Sequence, residues 1–255
     1  EPMLDAVKPD GAIVATPNLL HVDTTLACVK RGIPVLLEKP VADTIGESLK
    51  IVEAAEAAKV PLLVGHHRRN HPVMRKATDA IRSGTIGDIT AVACNWFLRK
   101  HDKYFTTWRA QQGGGPVLLN AIHDIDCLRM LCGDVATVQA ATDASVRGNP
   151  VEETAAVTLA FKSGALGTLI VSDTVSAPWS WEWTSRENPF YPTEPENCFL
   201  TLASVWPWRA KYSVSPSGRL SPIRLLRHGD VGREGAPAAL EARAGRSGRR
   251  HGRAA

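Results

Sequence analysis

Nowhere in this 255-residue chain do apolar residues run on for the about 18 positions that a membrane-spanning helix needs. No basic-then-apolar leader opens it either, so no membrane partner is expected and the location read from the sequence is cytoplasmic. Cysteine is sparse: Cys28, Cys94, Cys127, Cys132 and Cys198 are scattered with no C-x-x-C spacing, which excludes a disulfide framework and gives no metal site. The net charge of +4 is concentrated near the C-terminus, not on a recognition helix, so no nucleic-acid partner is expected. From about Arg219 the chain has no lysine, no aromatic ring and no hydrophobic period. Residues 203–255 are therefore read as an irregular or disordered tail, and a shifted reading frame would account for the abrupt change of composition.

What is present is a run of alternating short strands and helices. Gly11 to Ala15, Pro34 to Glu38 and Pro61 to Gly65 are apolar runs of strand length. Between them, Leu19 to Arg31 and Thr44 to Lys59 carry helical spacing, the second with Ile45, Leu49, Val52 and Ala55 toward one side. Strand, helix, strand, helix, strand at this spacing is a doubly wound parallel sheet with right-handed crossovers. After residue 70 the texture changes. A helix from Val73 to Arg82 and a strand near Ile89 to Leu98 are followed by a glycine triplet, Gly113 to Gly115, that opens a helix to about Leu131. Three β-favouring runs then follow one another, Val135 to Val146, Thr154 to Phe161 and Leu166 to Val175, as in an antiparallel sheet. The fold class is α/β plus α+β: a partial Rossmann doubly wound parallel sheet over 1–70, then over 71–202 an α+β domain with a mostly antiparallel open sheet.

Chemistry gathers at the strand ends. Val35-Leu36-Leu37 closes abruptly in Glu38-Lys39-Pro40, and ligands of open α/β sheets bind at that end. A lysine drawn into a partly desolvated cleft has a lowered pKa, which suits it to hold a developing alkoxide. His123, with an ordinary pKa near ~6.5, is the candidate proton acceptor. Asn120, His123 and Asp126 are spaced i, i+3, i+6 and form a polar ridge on a helix otherwise bearing Leu118, Ile122, Ile125 and Leu128. The basic cluster His66, His67, Arg68, Arg69 and His71 sits just past a strand end, where a substrate or cofactor contact suits it better than a metal.

Thr16-Pro17-Asn18, Glu38-Lys39-Pro40, Gly65-His66-His67-Arg68-Arg69 and Gly113-Gly114-Gly115 leading to His123 and Asp126, in that order, resemble the glucose-fructose oxidoreductase, inositol dehydrogenase and rhizopine-catabolism family of NAD(P)-dependent oxidoreductases. The resemblance covers roughly Pro9 to Thr174. It implies a dinucleotide-binding domain followed by an α+β domain, NAD or NADP as cofactor, and hydride transfer between nicotinamide and a sugar, cyclitol or related hydroxy compound. It makes Lys39 the catalytic lysine, with His123 beside it, and sets Thr16, Pro17, Asn18, Glu38, Lys39 and Pro40 against the cofactor. Asn120, Asp126, Arg68, Arg69 and Trp108 become substrate contacts, and a homo-oligomer through the second-domain sheet is implied. No G-x-G-x-x-G precedes Thr16, so on this resemblance the chain is N-terminally truncated. Leu119 and Ala121 stand where the family usually has Asp and Gly, which shifts proton transfer toward His123 or Lys39. The other reading is a sensor or transcriptional regulator of the same fold that binds dinucleotide without turnover.

Overall fold

The computed structural model describes residues 2–105, 107–111, 113–192, 196–203, 213–214 and 220–221. After helix α1 (Pro2–Val7), three parallel strands, β1 (Ala12–Val14), β2 (Val35–Leu37) and β3 (Leu62–Val64), lie in chain order. Their crossovers are α2 (His21–Val29) and α3 (Ile45–Ala58). Val14, Val35 and Leu37 pack with Ala27, Cys28 and Ile51 into one core. Thr44 caps α3, its hydroxyl accepting from the Glu47 amide at 3.2 Å, and Lys59 ends the helix in a left-handed turn.

The apolar stripe expected on α3 is displaced. Ile51 is fully buried and Ala55 nearly so, whereas Ile45 is 81% exposed and Leu49 50%. The helix carries two adjacent apolar faces roughly a quarter turn apart. Only the narrow Ile51–Ala55 face is buried, Ile51 among Val14, Val35 and Leu37 of the sheet and Ala55 against Val29 and Val60. The helix expected from Leu19 opens instead with a 3₁₀ turn over Asn18–Leu20.

Beyond α4 (Pro72–Arg82), a second sheet is ordered β5-β6-β7-β4-β8 from β4 (Ile89–Phe97), β5 (Val135–Asp143), β6 (Thr154–Phe161), β7 (Leu166–Ser172) and β8 (Phe199–Ala203). All pairings are antiparallel except β4 with β7, so the sheet is mixed. Its covered face packs Val92, Cys94, Trp96, Leu159, Leu169 and Val171 against α4 and α5 (Ile122–Cys132). Strand β8 has no counterpart in the sequence reading. Residues 203–255, expected as an irregular tail, lie outside the described residues, apart from Ala203 at the end of β8 and a short antiparallel pairing of Ser213–Val214 with Leu220–Ser221.

The segment after the glycines is helical, but its first turn is a π-helix over Val117–Ala121 that passes into α5. Gly113 takes a positive φ of 89° and Gly114 lies so close to the Arg109 backbone that a Cβ would clash with its carbonyl oxygen. Glu152, on the β5–β6 connection, accepts the Val117 amide at 3.1 Å and so satisfies one of the free donors where the turn begins.

Candidate active site at the ends of the parallel strands

The loops that leave β1 and β2 are tied together by His21. Its Nε2 lies 2.9 Å from the Thr16 carbonyl oxygen and its Nδ1 2.8 Å from that of Pro40. Asn18, buried at the same end, donates to the Asp43 carboxylate. Thr16 and Pro17 remain exposed, and Pro40 follows Lys39 through a cis peptide bond. Glu38 accepts the Lys39 amide at 3.3 Å. Gly65 abuts the Glu38 carboxylate, which a Cβ would approach to 3.0 Å. The strand-end residues singled out in the sequence therefore share one rim.

Lys39 reaches from this rim to the π turn, where its Nζ donates to the Leu119 carbonyl at 2.7 Å. Burial lowers its pKa, with Glu38 opposing and Arg68 and Lys100 adding to the effect. His123 lies on the first turn of α5 and is nearly fully buried. The His66 and His67 rings meet it edge-on, with centroids 5.7 and 4.8 Å away. Burial first, then the Arg68 and Lys39 charges, press its pKa from 6.5 to about 2, so its imidazole is neutral. Its Nδ1 and that of His66 are buried without a hydrogen-bond partner among the described residues.

The basic cluster divides into different environments. Arg68, expected at a substrate, is only 2% exposed; its Nη1 donates to Asp124 at 2.7 Å and its Nη2 to Glu182 at 3.2 Å, so its charge is engaged inside the protein. Arg69 forms a bidentate pair with Asp126, both contacts 2.6 Å, which also occupies the Asp126 carboxylate. His67 and His71 face Glu187 at 3.4 and 3.8 Å. No cluster fit for a metal ion stands among the described residues. Asn120 falls in the π turn, so the α-helical spacing that stacked it with His123 and Asp126 does not hold there. Trp108 lies in a 3₁₀ turn with the Arg109 guanidinium 4.9 Å from its ring centroid.

Several site-forming residues went unnoticed in the sequence. Asp124, fully buried, has its pKa raised from 3.8 to about 7 because burial outweighs the Arg68 charge. Glu182, on the short helix α6 (Trp181–Thr184), joins Arg68 to the Trp96 indole, which donates to it at 2.9 Å. A carboxylate more than 80 residues from its partner carries no local signal. His21 did carry one, because a histidine three residues past Asn18 is placed to reach back over the same loop.

A three-stranded parallel sheet with polar loops at its C-terminal ends, a lysine on the second of them and a neutral histidine on the helix α5 together form a candidate site at the end where α/β dinucleotide-binding folds hold their ligands. Residues 1–66 match the oxidoreductase family with the NAD-binding Rossmann fold, and residues 74–186 match the GFO/IDH/MocA C-terminal domain. The chain belongs to the GFO/IDH/MocA family of oxidoreductases. It is 35% identical over 154 residues to the rhizopine catabolism protein MocA of Rhizobium meliloti, covering 58% of this chain and 48% of that protein. Inositol 2-dehydrogenase 1 of Saccharopolyspora erythraea is 36% identical over 124 residues, covering 48% of this chain and 35% of the relative. The crystal structure of the WlbA dehydrogenase from Chromobacterium violaceum with NADH and UDP-GlcNAcA superposes with a TM-score of 0.68 at 29% identity, over 80% of this chain and 56% of that one. The chain thus spans about half the length, or less, of the relatives it matches.

The residues present fit the nicotinamide end of such a cofactor. Gly65 leaves no room beside Glu38 for a side chain, the Thr16 and Pro17 rim is open, and the buried Nδ1 atoms of His66 and His123 have no hydrogen-bond partner among the described residues.

Proposed function

We propose that this chain carries the catalytic wall of an NAD(P)-dependent oxidoreductase that transfers hydride between nicotinamide and a carbinol carbon of a sugar, cyclitol or related hydroxy compound. The observation that carries the reading is the convergence of Lys39 and His123, one from each sheet's domain, with Lys39 Nζ fixed on the Leu119 carbonyl four residues before His123. The bound nicotinamide supplies the hydride acceptor. Burial and the neighbouring cations that hold His123 neutral also oppose its protonation, so it accepts a hydrogen bond from the hydroxyl, and Lys39, its pKa lowered by burial, faces the oxygen and takes the proton as its neutral amine.

Residues 1–70 form the cofactor side and 71–202 the substrate side in this reading. Arg68 and Arg69 act on the site indirectly, by fixing Asp124 and Asp126 on the helix that carries His123. Asn120 and Trp108 remain candidate substrate contacts, and Thr16, Pro17, Asn18, Glu38 and Pro40 cofactor contacts. The outer face of the second sheet, with Val138, Leu166, Ile170, Leu200 and Leu202 exposed, supports a homo-oligomer formed there. Five free, buried cysteines suit a reducing, cytoplasmic setting.

The test is NADH formation over a sugar and polyol panel, with fluorescence titration of NADH alongside. Both are run on this chain and on a form extended at its N-terminus with the corresponding segment of a relative it matches. Turnover that disappears in Lys39→Ala supports the proposal. Cofactor binding by the extended form with no turnover on the whole panel sinks it in favour of the sensor reading.

A further inference from the structure

The cations around the site fall into two groups. Arg68, Arg69 and Arg147 each meet a carboxylate, Asp124, Asp126 and Asp173, at 2.7, 2.6 and 2.6 Å. Lys39, Lys100 and Arg109 do not. The Lys39 ammonium bonds a carbonyl, and among the described residues the charged ends of Lys100 and Arg109 meet no carboxylate within ion-pair distance. These two are laid on aromatic rings. Lys100 Nζ stands 5.5 Å from the Trp96 ring centroid and 5.2 Å from that of Tyr104, while the Arg109 guanidinium is 4.7 Å from Tyr104. One phenol ring thus carries two half-buried cations.

Neither is free to swing away from this arrangement at its backbone. The Lys100 amide donates to the Asp173 carbonyl at 2.8 Å, and its own carbonyl accepts from Arg147 Nη2 at 3.3 Å. Arg147 is itself held by Asp173 and stacked 4.1 Å from the Phe105 ring centroid. Gly114 presses on the backbone of Arg109. The pair borders the catalytic wall through Trp96, which underlies Lys100 and donates to Glu182, the partner of Arg68 beside His123. Lys39 also feels the Lys100 charge, and Lys100 feels Glu182 and Asp173 and, more weakly, Arg109.

Glu182 and Asp173, the carboxylates whose charge reaches Lys100, are already paired with Arg68 and Arg147, and an anionic ligand offsets the positive charge left at Lys100 and Arg109. We propose that Lys100 and Arg109 form an anion subsite of the substrate cleft, and that the substrate is a polyhydroxy compound bearing a carboxylate, such as a sugar acid. The carboxylate is held by Lys100 and Arg109 while the reacting hydroxyl lies at Lys39. Two cations with Glu182 close by suit one negative charge better than the two of a phosphate monoester. The proposal rests on the oxidoreductase reading for the hydroxyl's fate, but not for binding of the acid.

Calorimetric titration of the full chain, in its NADH-binding form, with glucuronate against glucose and gluconate against sorbitol tests it, with glucose 6-phosphate as a further ligand. At least one acid is expected to bind about ten-fold or more tightly than its neutral partner, the advantage shrinking as salt is raised. In Lys100→Gln and Arg109→Gln, each checked for an unchanged melting temperature, the acid-to-neutral ratio falls about ten-fold, and Lys100→Arg retains part of it. Equal affinity for acids and neutrals overturns the subsite, as does an acid preference that survives both substitutions. Tighter binding of the phosphate than of either acid overturns the carboxylate assignment. Acid preference in binding with no turnover keeps the subsite and removes the oxidoreductase reading, whereas turnover without acid preference does the reverse.

Discussion

The two sheets hold their ends of the cleft by different means. The parallel sheet is small and covered by α2 and α3, and its buried polar side chains tie loops together through single contacts: His21 between two carbonyls and Asn18 on Asp43. The mixed sheet buries ions. Asp124, Glu153 and Asp173 are all nearly inaccessible and are matched by Arg68 and Arg147, with Glu153 also taking the Val146 and Arg147 amides. An ion pair buried this deeply is weak evidence of net stability, but losing one partner strands the other. The comparison teaches that the cofactor side is set by packing and turns, while the wall bearing His123 is set by charge balance.

The sharpest way to break that contrast is Arg68→Met, which leaves Asp124 and Glu182 without their cation. Chemical denaturation is expected to report a loss of about 3–5 kcal/mol. A replacement with no such effect would show that the wall does not depend on its charges. Lys39→Ala is expected to lower kcat/KM of the extended protein by about a hundred-fold or more while leaving the melting curve in place. On the packed side, Leu37→Ala removes a fully buried side chain from the parallel sheet, with an expected loss of about 2–5 kcal/mol by the same denaturation measurement.

The histidine sharpens the comparison through pH. His123 titrates near 6.5 when unfolded and near 2 when folded, so the unfolded chain binds the extra proton. Its contribution is full above pH 6.5 and is lost as pH falls below it, by up to about 1.4 kcal/mol per pH unit. Asp124 acts oppositely between 3.8 and about 7, since its folded form keeps the proton. The wild-type profile therefore partly cancels. The informative quantity is the difference from His123→Asn, whose stability should gain on the wild type as pH drops from 6.5 toward 4. The smallest expected effect is Thr44→Ala, about 1 kcal/mol from the loss of the α3 cap, read in the melting temperature.

Much of this architecture could be read directly. Pro34 to Glu38, Thr44 to Lys59 and Pro61 to Gly65 became β2, α3 and β3 with ends shifted by a residue or so, because apolar runs and caps are local properties. The face that α3 buries was misjudged, since two apolar faces on one helix are resolved only by what each one meets. Arg68 was read as a ligand contact because a basic run past a strand end looks open to solvent. Its partners Asp124 and Glu182 lie 56 and 114 residues away, and no spacing rule links them to it.

By itself the sequence determined the order of strands and helices and the strand ends where Thr16, Asn18, Glu38 and Lys39 stand, and it singled out Lys39 and His123 as the candidates for the chemistry. Tertiary structure alone decided which cations are consumed and which are left over. Arg68 and Arg69 are paired with carboxylates, Lys100 and Arg109 are stacked on rings with no carboxylate at ion-pair distance among the described residues, and the π turn directs the Leu119 carbonyl at Lys39. The physical reason is that backbone preference acts over a few residues, whereas charge pairing and desolvation depend on groups brought together from distant parts of the chain.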